Sequence, residues 1–246
     1  MKILRTLIDN LLEAEIVEIR IGLYWAAVVA KVGRDYRCGL ASMLHEEHTE
    51  TATAPAVPEE LFEVMSGREL AAKVFSTEPL LRSVGMAAIN AMVKWDPASW
   101  KERNVEDLIA EIGHGKRVAV VGRFPFLPRL RQRVGELYVI EQNPQPMEYP
   151  AEEAARILSQ VDVAAITSMT FINQTLESLL EACRPETQLI LVGPSTPLCA
   201  DLFQFGIDYL SGAVVENQEA VLRGISEGAT FRQLHQFGIR LVTLQK

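Results

Sequence analysis

Arg117-Val-Ala-Val-Val-Gly-Arg-Phe-Pro-Phe-Leu-Pro128, followed by a short cationic segment and then Glu136-Leu-Tyr-Val-Ile-Glu141, is the stretch whose reading decides the fold. Val118 to Val121 is an apolar, mostly β-branched run closed by Gly122, as expected of a strand covered on both faces. Val134 to Ile140 is a second such run, and it closes on Glu141. In open α/β sheets ligands gather beyond the carboxyl ends of strands, so Gly122 and Glu141 become candidate site residues.

Working outward, strands and helices alternate from Lys116 onward with the rhythm of a parallel sheet. Strands are predicted at Arg117 to Val121, Glu136 to Ile140, Val161 to Thr167, Gln188 to Val192, Tyr209 to Val214 and Ile239 to Leu244. Helices are expected over Phe126 to Arg133, Ala151 to Gln160, Asn173 to Ala182, Leu198 to Phe205 and Glu216 to Glu227. Each strand end carries a polar or glycine-containing cluster: Gly122-Arg-Phe-Pro125, then Glu141-Gln-Asn143, Thr167-Ser-Met-Thr170 with Asn173, and Gly193-Pro-Ser-Thr-Pro197. A right-handed doubly wound sheet brings such turns to one rim, where hydroxyls and backbone N–H groups suit a polar ligand.

Upstream the pattern differs. Ile3, Leu4, Leu7, Ile8, Leu11 and Leu12 recur at helical spacing. Ile16 to Ile21, Tyr24 to Val32 and Tyr36 to Leu40 then read as a small antiparallel meander. His45-Glu-Glu-His48 offers a weak metal-ligand pair, lacking both the i,i+4 spacing and the third ligand of a zinc protease. Thr77-Glu-Pro79 starts a helix through Lys94 that is dense in small residues over Gly85 to Ala91. Such a helix packs closely against a neighbour, lines a cleft or sits at a subunit interface, which leaves a homo-oligomer open. Asn90, an uncharged polar residue on its later half, reads as either a satisfied core amide or a ligand contact. Composition changes after Trp95-Asp-Pro97, so the division falls into 1–98, a small α+β domain, and 99–246, an α/β domain with a mostly parallel sheet.

The chain has 246 residues, 48% of them hydrophobic and 23% charged, ample for domains with real cores. Its net charge of -8 argues against a general nucleic-acid binder, although Arg123, Arg129, Arg131 and Arg133 form a local basic patch beside Gly122. That patch reads as a solvated helix face or, more sharply, as an anion-capturing surface. Cys38, Cys183 and Cys199 lack Cys-x-x-Cys spacing and read as reduced thiols. With no secretory pattern over Met1 to Asn10 and no apolar run long enough for a bilayer, a cytoplasmic protein without membrane partners is expected.

Glu141 stands where dinucleotide folds place the acid that holds a ribose hydroxyl. Ordinary NAD binding is not expected, because Gly122-Arg-Phe-Pro125 lacks the second and third glycines of the phosphate turn and Pro125 has no N–H to offer. No catalytic set emerges: Ser195 has no evident His and Asp partners, with His114 and His235 in unrelated segments. Cys199, at the start of an expected helix, is read as a buried thiol and, more weakly, as a soft-metal ligand.

Gly85-Met-Ala-Ala-Ile-Asn-Ala91, Gly122-Arg-Phe-Pro125, Glu141, Thr167 to Asn173 and Gly193-Pro-Ser-Thr-Pro197, in this order, resemble the "putative heavy-metal chelation" domain family, first described as a domain of unknown function. The resemblance includes Gly22-Leu-Tyr-Trp-Ala-Ala27 and Cys38-Gly-Leu-Ala41, and so covers nearly the whole chain. It implies an enolase N-terminal-like first domain, a Rossmann-like second domain and a cleft between them, but carries over no metal ligands.

The resulting expectation is a small polar or anionic ligand, with a heavy metal or metal chelate as a candidate, bound in that cleft. Asn90, Gly122, Phe124, Pro125, Glu141, Thr167, Ser168, Asn173, Gly193, Pro194 and Ser195 are the candidate contacts, and Glu141 and Cys199 the candidate metal ligands. The rival readings are a lyase or transferase with a nucleotide-like cofactor on the same rim and a non-catalytic partner-binding module. Whether the protein is an enzyme stays open at this level.

Overall fold

A computed structural model describes residues 1–44 and 65–246, so the His45 to His48 pair lies outside the described residues. The chain separates into two compact units. One comprises Met1–Ile3, Trp95–Gly212 and Leu241–Lys246, and the other Leu4–Lys94 with Ala213–Arg240. By contacts, Ala213–Arg240 thus groups with Leu4–Lys94.

In the unit built mainly from the earlier half, helix α1 (Lys2–Asp9) leads into strands β1 (Glu15–Ile21), β2 (Trp25–Val32) and β3 (Asp35–Ser42), paired antiparallel in the order β1-β2-β3. α2 (Gly67–Ala72) precedes α3 (Pro79–Met92), which begins with a proline whose missing N–H is not needed there. At its other end the Met92 carbonyl is capped by the Leu12 N–H at 3.0 Å. One set of sheet side chains, Trp25, Ala27, Val29, Cys38 and Leu40, is buried against α9 (Gln218–Ser226) and α10 (Phe231–Gly238) through Val221, Leu222, Ile225 and Leu234. The Trp25 indole donates to the Ala229 carbonyl at 3.1 Å. α10 escaped the sequence reading because its apolar positions are few, and much of its surface stays exposed.

The other unit holds most of a seven-stranded, mostly parallel sheet. Its strands are β4 (Arg117–Val121), β5 (Glu136–Glu141), β6 (Tyr149–Pro150), β7 (Val163–Thr167), β8 (Gln188–Val192), β9 (Tyr209–Val215) and β10 (Ile239–Gln245), in the order β10-β9-β8-β7-β4-β5-β6. Val118, Val120, Val139, Val163 and Ile190 pack on one face with Leu108 and Ile109 of α4 (Val105–Ile112) and with Leu127 and Leu130 of α5 (Leu127–Leu130). Ala119, Ile140, Ala164 and Leu189 pack on the other with Ile157 and Leu158 of α6 (Ala154–Leu158). Burial on both faces is why these strands read as continuous apolar runs, and each fully buried Val, Ile or Leu contributes about 1.5–3 kcal/mol.

The sequence reading found the main strands of both sheets within a few residues. The helices over Phe126 to Arg133 and Ala151 to Gln160 are shorter than expected, and Ala200–Phe205 is a 3-10 helix. α7 (Met169–Ile172) precedes α8 (Leu176–Ala182), where a single helix from Asn173 was expected. No helix among the described residues is long and apolar enough to cross a membrane.

Candidate functional site at the strand ends

Counted along the chain without the two-residue β6, the first five strands of the sheet stand in the order 2-1-3-4-5. The direction of winding therefore reverses between β4 and β7. Such a reversal leaves a crevice beyond the strand ends that the crossover segments do not fill. Val121 is in register with Ile140 on one side and Ile166 on the other, and Thr167 is in register with Val192. This arrangement puts Gly122 beside Glu141 and Thr167, and Ser168 beside Gly193.

Both glycines are required by geometry. Gly122 has φ +106, and a β-carbon there would lie 2.9 Å from Thr167 Cβ. Gly193 has φ +129, and its β-carbon would lie 2.5 Å from Ser168 Oγ. Their N–H groups are spent inside the sheet, on the carbonyls of Ile140 and Ser211 at 3.0 Å each. The two turns thus bring bare backbone to the rim and are not phosphate cradles.

Side chains along the rim divide into committed and available groups. Asn173 is committed: its Oδ1 accepts from the Thr175 N–H at 3.2 Å and the Thr175 hydroxyl at 2.7 Å, closing the turn before α8. Thr167 Oγ1 accepts from the Met169 N–H, and Ser168 and Ser195 are buried. Phe124 stacks on Phe126 with centroids 5.1 Å apart, and Pro125 lies exposed between them. Pro194 is half-buried beside Gly193. Glu141 accepts only from its neighbour, the Gln142 N–H at 3.1 Å, and forms no ion pair among the described residues. Asn90 belongs to the other unit, where its amide donates to the Leu40 carbonyl at 2.7 Å as a core amide would.

Thr196 was missed by the sequence reading. It is 2% exposed and its hydroxyl has no partner among the described residues, a cost of about 1–3 kcal/mol for a buried polar group. Nothing in Gly193-Pro-Ser-Thr-Pro197 distinguishes it from Ser195 before folding.

Each arginine of the basic patch has a partner within the protein. Arg129 makes a bidentate contact with Glu106, Arg133 bridges Glu106 and Asp107, and Arg131 donates to the Leu137 carbonyl. Hydrogen bonds from Arg129 hold the Glu106 carboxyl below the usual carboxylate range, against the opposing effect of burial. Arg123 pairs with Glu148, at 3.0 Å for Nε to Oε1 and 2.6 Å for Nη2 to Oε2.

The described residues do not compose a soft-metal site. No group of three His, Cys, Asp or Glu side chains converges among them. Cys199 is buried, as the first of its two sequence readings had it, and desolvation pushes its thiol up to about 12, which disfavours the thiolate that a soft metal requires. Burial likewise raises Cys38 to about 12 and Cys183 to about 11. Glu141 alone supplies one hard oxygen ligand where a stable cation site needs several.

Comparison with known proteins agrees with this architecture. A family model described as "Putative heavy-metal chelation" matches residues 104–243, and a second with the same description matches residues 4–93. Over 151 residues the chain is 28% identical to the uncharacterized protein MJ0500 of Methanocaldococcus jannaschii, a match spanning 57% of this chain and 58% of that relative. The chain thus spans little more than half the length of the curated relative it matches. A crystal structure of a protein of unknown function from the DUF364 family of Desulfitobacterium hafniense is similar over 100% of this chain and 98% of that one, with TM-score 0.83 and 26% identity. A DUF364-family protein from Pyrococcus horikoshii, also of unknown function, shares the fold over the same fractions, with TM-score 0.83 at 23% identity.

Proposed function

Because the chain belongs to the family described as "Putative heavy-metal chelation", we propose that it binds a small polar organic ligand, free or as a metal chelate, at the strand-end rim of its parallel sheet. The observation that carries this reading is the reversal of winding between β4 and β7, with Gly122 seated against Thr167 and the Glu141 carboxylate free of any ion pair among the described residues. A metal held this way arrives already coordinated, and the organic part of the chelate makes the protein contacts. The roles are then specific: Gly122 and Gly193 let the ligand approach the backbone, Glu141 accepts from its hydroxyl or amino groups, and the hydroxyls of Thr167 and Ser168 complete the edge.

Native mass spectrometry with elemental analysis of the purified protein identifies a retained molecule and any metal together. For that molecule, Glu141→Gln is expected to weaken binding about ten-fold, the loss of one charge-assisted hydrogen bond of roughly 1.4 kcal/mol. Unchanged affinity removes the rim as the site.

A second reading has its own support. Glu141 closes the strand next to the first one, the position from which an acid holds ribose hydroxyls in dinucleotide folds. A nucleotide-like cofactor for a lyase or transferase would use that carboxylate, and a metal-free nucleoside compound in the mass spectrum would favour it over a chelate.

A further inference from the structure

Arg123 directly follows the glycine at the reversal of winding, where a free guanidinium would attract phosphate groups. It is not free. Its Nε and Nη2 contact the two carboxylate oxygens of Glu148, and Nη2 also donates to the Asn143 carbonyl at 3.0 Å. Glu148 is fixed from its own side as well, since its Oε2 accepts from the Gln145 N–H at 2.8 Å and its side chain is only 12% exposed. This fork ties the turn after β4 to the loop between β5 and β6, residues 25 apart in sequence.

We infer that Glu148 is a specificity-determining residue: by holding Arg123, it leaves the β4–β5 end of the rim with the charge of Glu141, selecting neutral or cationic hydroxyl-bearing ligands over phosphate-rich ones. The inference rests on the rim being the binding site. One guanidinium and two carboxylates stand at this end, and the pairing of Arg123 with Glu148 leaves one negative charge uncompensated. The other arginines of the segment supply no replacement, being engaged by Glu106, Asp107 and the Leu137 carbonyl. Consistent with the pairing, the Arg123 hydrogen bonds hold the Glu148 carboxyl below the usual carboxylate range, and Glu148 followed by Glu141 strengthens the hold of Arg123 on its proton.

Titration calorimetry on the full chain tests this with inorganic pyrophosphate and with Mn2+ as probes. Glu148→Gln keeps the shape of the side chain but removes its charge and turns one of its two accepting oxygens into a donor, which opens the fork. It is expected to raise pyrophosphate affinity about ten-fold or more over the unaltered protein, the scale of one charge-assisted contact. The gain should vanish in Glu148→Gln/Arg123→Gln. Arg123→Gln alone should act in the opposite direction, leaving two carboxylates together and raising Mn2+ affinity, with the gain lost again on adding Glu141→Gln. A merely structural fork would not change the sign of the preferred ion.

Pyrophosphate binding of equal strength with and without Glu148, or a gain that survives loss of Arg123, overturns the inference. If Glu148→Gln does not fold by circular dichroism, the Arg123→Gln arm decides, and no gain in Mn2+ affinity sinks it. Failure of the rim reading shows separately, because there Glu141→Gln leaves the retained native molecule as tightly bound as before while the probes still report the charge at Arg123.

Discussion

The β2–β3–α3 layer and the strand-end rim of the parallel sheet use the same small residues for opposite ends. At Gly39 a β-carbon would lie 2.1 Å from the Ala87 carbonyl oxygen and 2.3 Å from the Ala91 nitrogen, and at Gly85 another would lie 2.3 Å from the Val74 nitrogen. There the missing side chains are replaced by protein backbone, and α3 from Ser83 to Met92 is buried throughout. At Gly122 and Gly193 the obstruction is a side chain, and the left-handed backbone closes a strand at the half-exposed edge of a sheet. Glycine in a buried helix–sheet contact records backbone packing; glycine at the ends of β4 and β8, on either side of β7, records a left-handed strand-closing turn set against the side chains of Thr167 and Ser168.

The comparison is broken most readily at Gly39. Gly39→Ala should cost on the order of 3 kcal/mol or more, because neither backbone atom in its way can move without displacing α3. Urea denaturation measures this, and a loss under about 1 kcal/mol would show that the layer yields. Gly122→Ala is expected to cost less, about 1–3 kcal/mol for a strained backbone, while also abolishing binding of the retained ligand. Equal losses at the two positions, with binding intact in Gly122→Ala, would erase the distinction between packing and site.

The smallest effect concerns the arginines that do not serve the rim. The Glu106 carboxyl titrates below its ordinary range in the folded protein, mainly through hydrogen bonds from Arg129. Its contribution to stability is therefore fully present above the unfolded carboxylate value and is lost as pH falls through the lowered one. Stability should drop between about pH 4.5 and the folded titration point, and Glu106→Gln should flatten that part of the profile. A profile unchanged by the substitution would mean that these exposed arginines contribute little to the fold. Melting curves across that range, compared with those of Glu148→Gln, separate the two arginine clusters.

Much of the fold was legible before folding, for identifiable reasons. Arg117 to Val121 and Gln188 to Val192 are runs whose every residue is paired or covered, so their boundaries coincide with the strands. α7 was hidden because Met169–Ile172 is a four-residue helix, too short to establish a period. Of the candidate site residues, Gly122, Glu141, Thr167, Ser168 and Gly193 share one edge, as strand ends of a parallel sheet must. Asn173 looked equally eligible but its amide is spent on Thr175, and the Asn90 amide on Leu40; neither commitment leaves a mark in composition. The Arg123–Glu148 fork was invisible for the same reason, since a surface arginine and a glutamate 25 positions away show nothing until the chain brings them together.

Apolar period and strand-closing residues were sufficient on their own for the class of the fold, the meander, the parallel sheet and the rank of turns at its edge. They are local properties, decided by which side chains must leave water. The reversal between β4 and β7, the return of Ala213–Arg240 to the earlier half and the partner of each charged group were decided only by tertiary structure. Those depend on distances between residues remote in sequence, and the pairing of Arg123 with Glu148 at the rim is one of them.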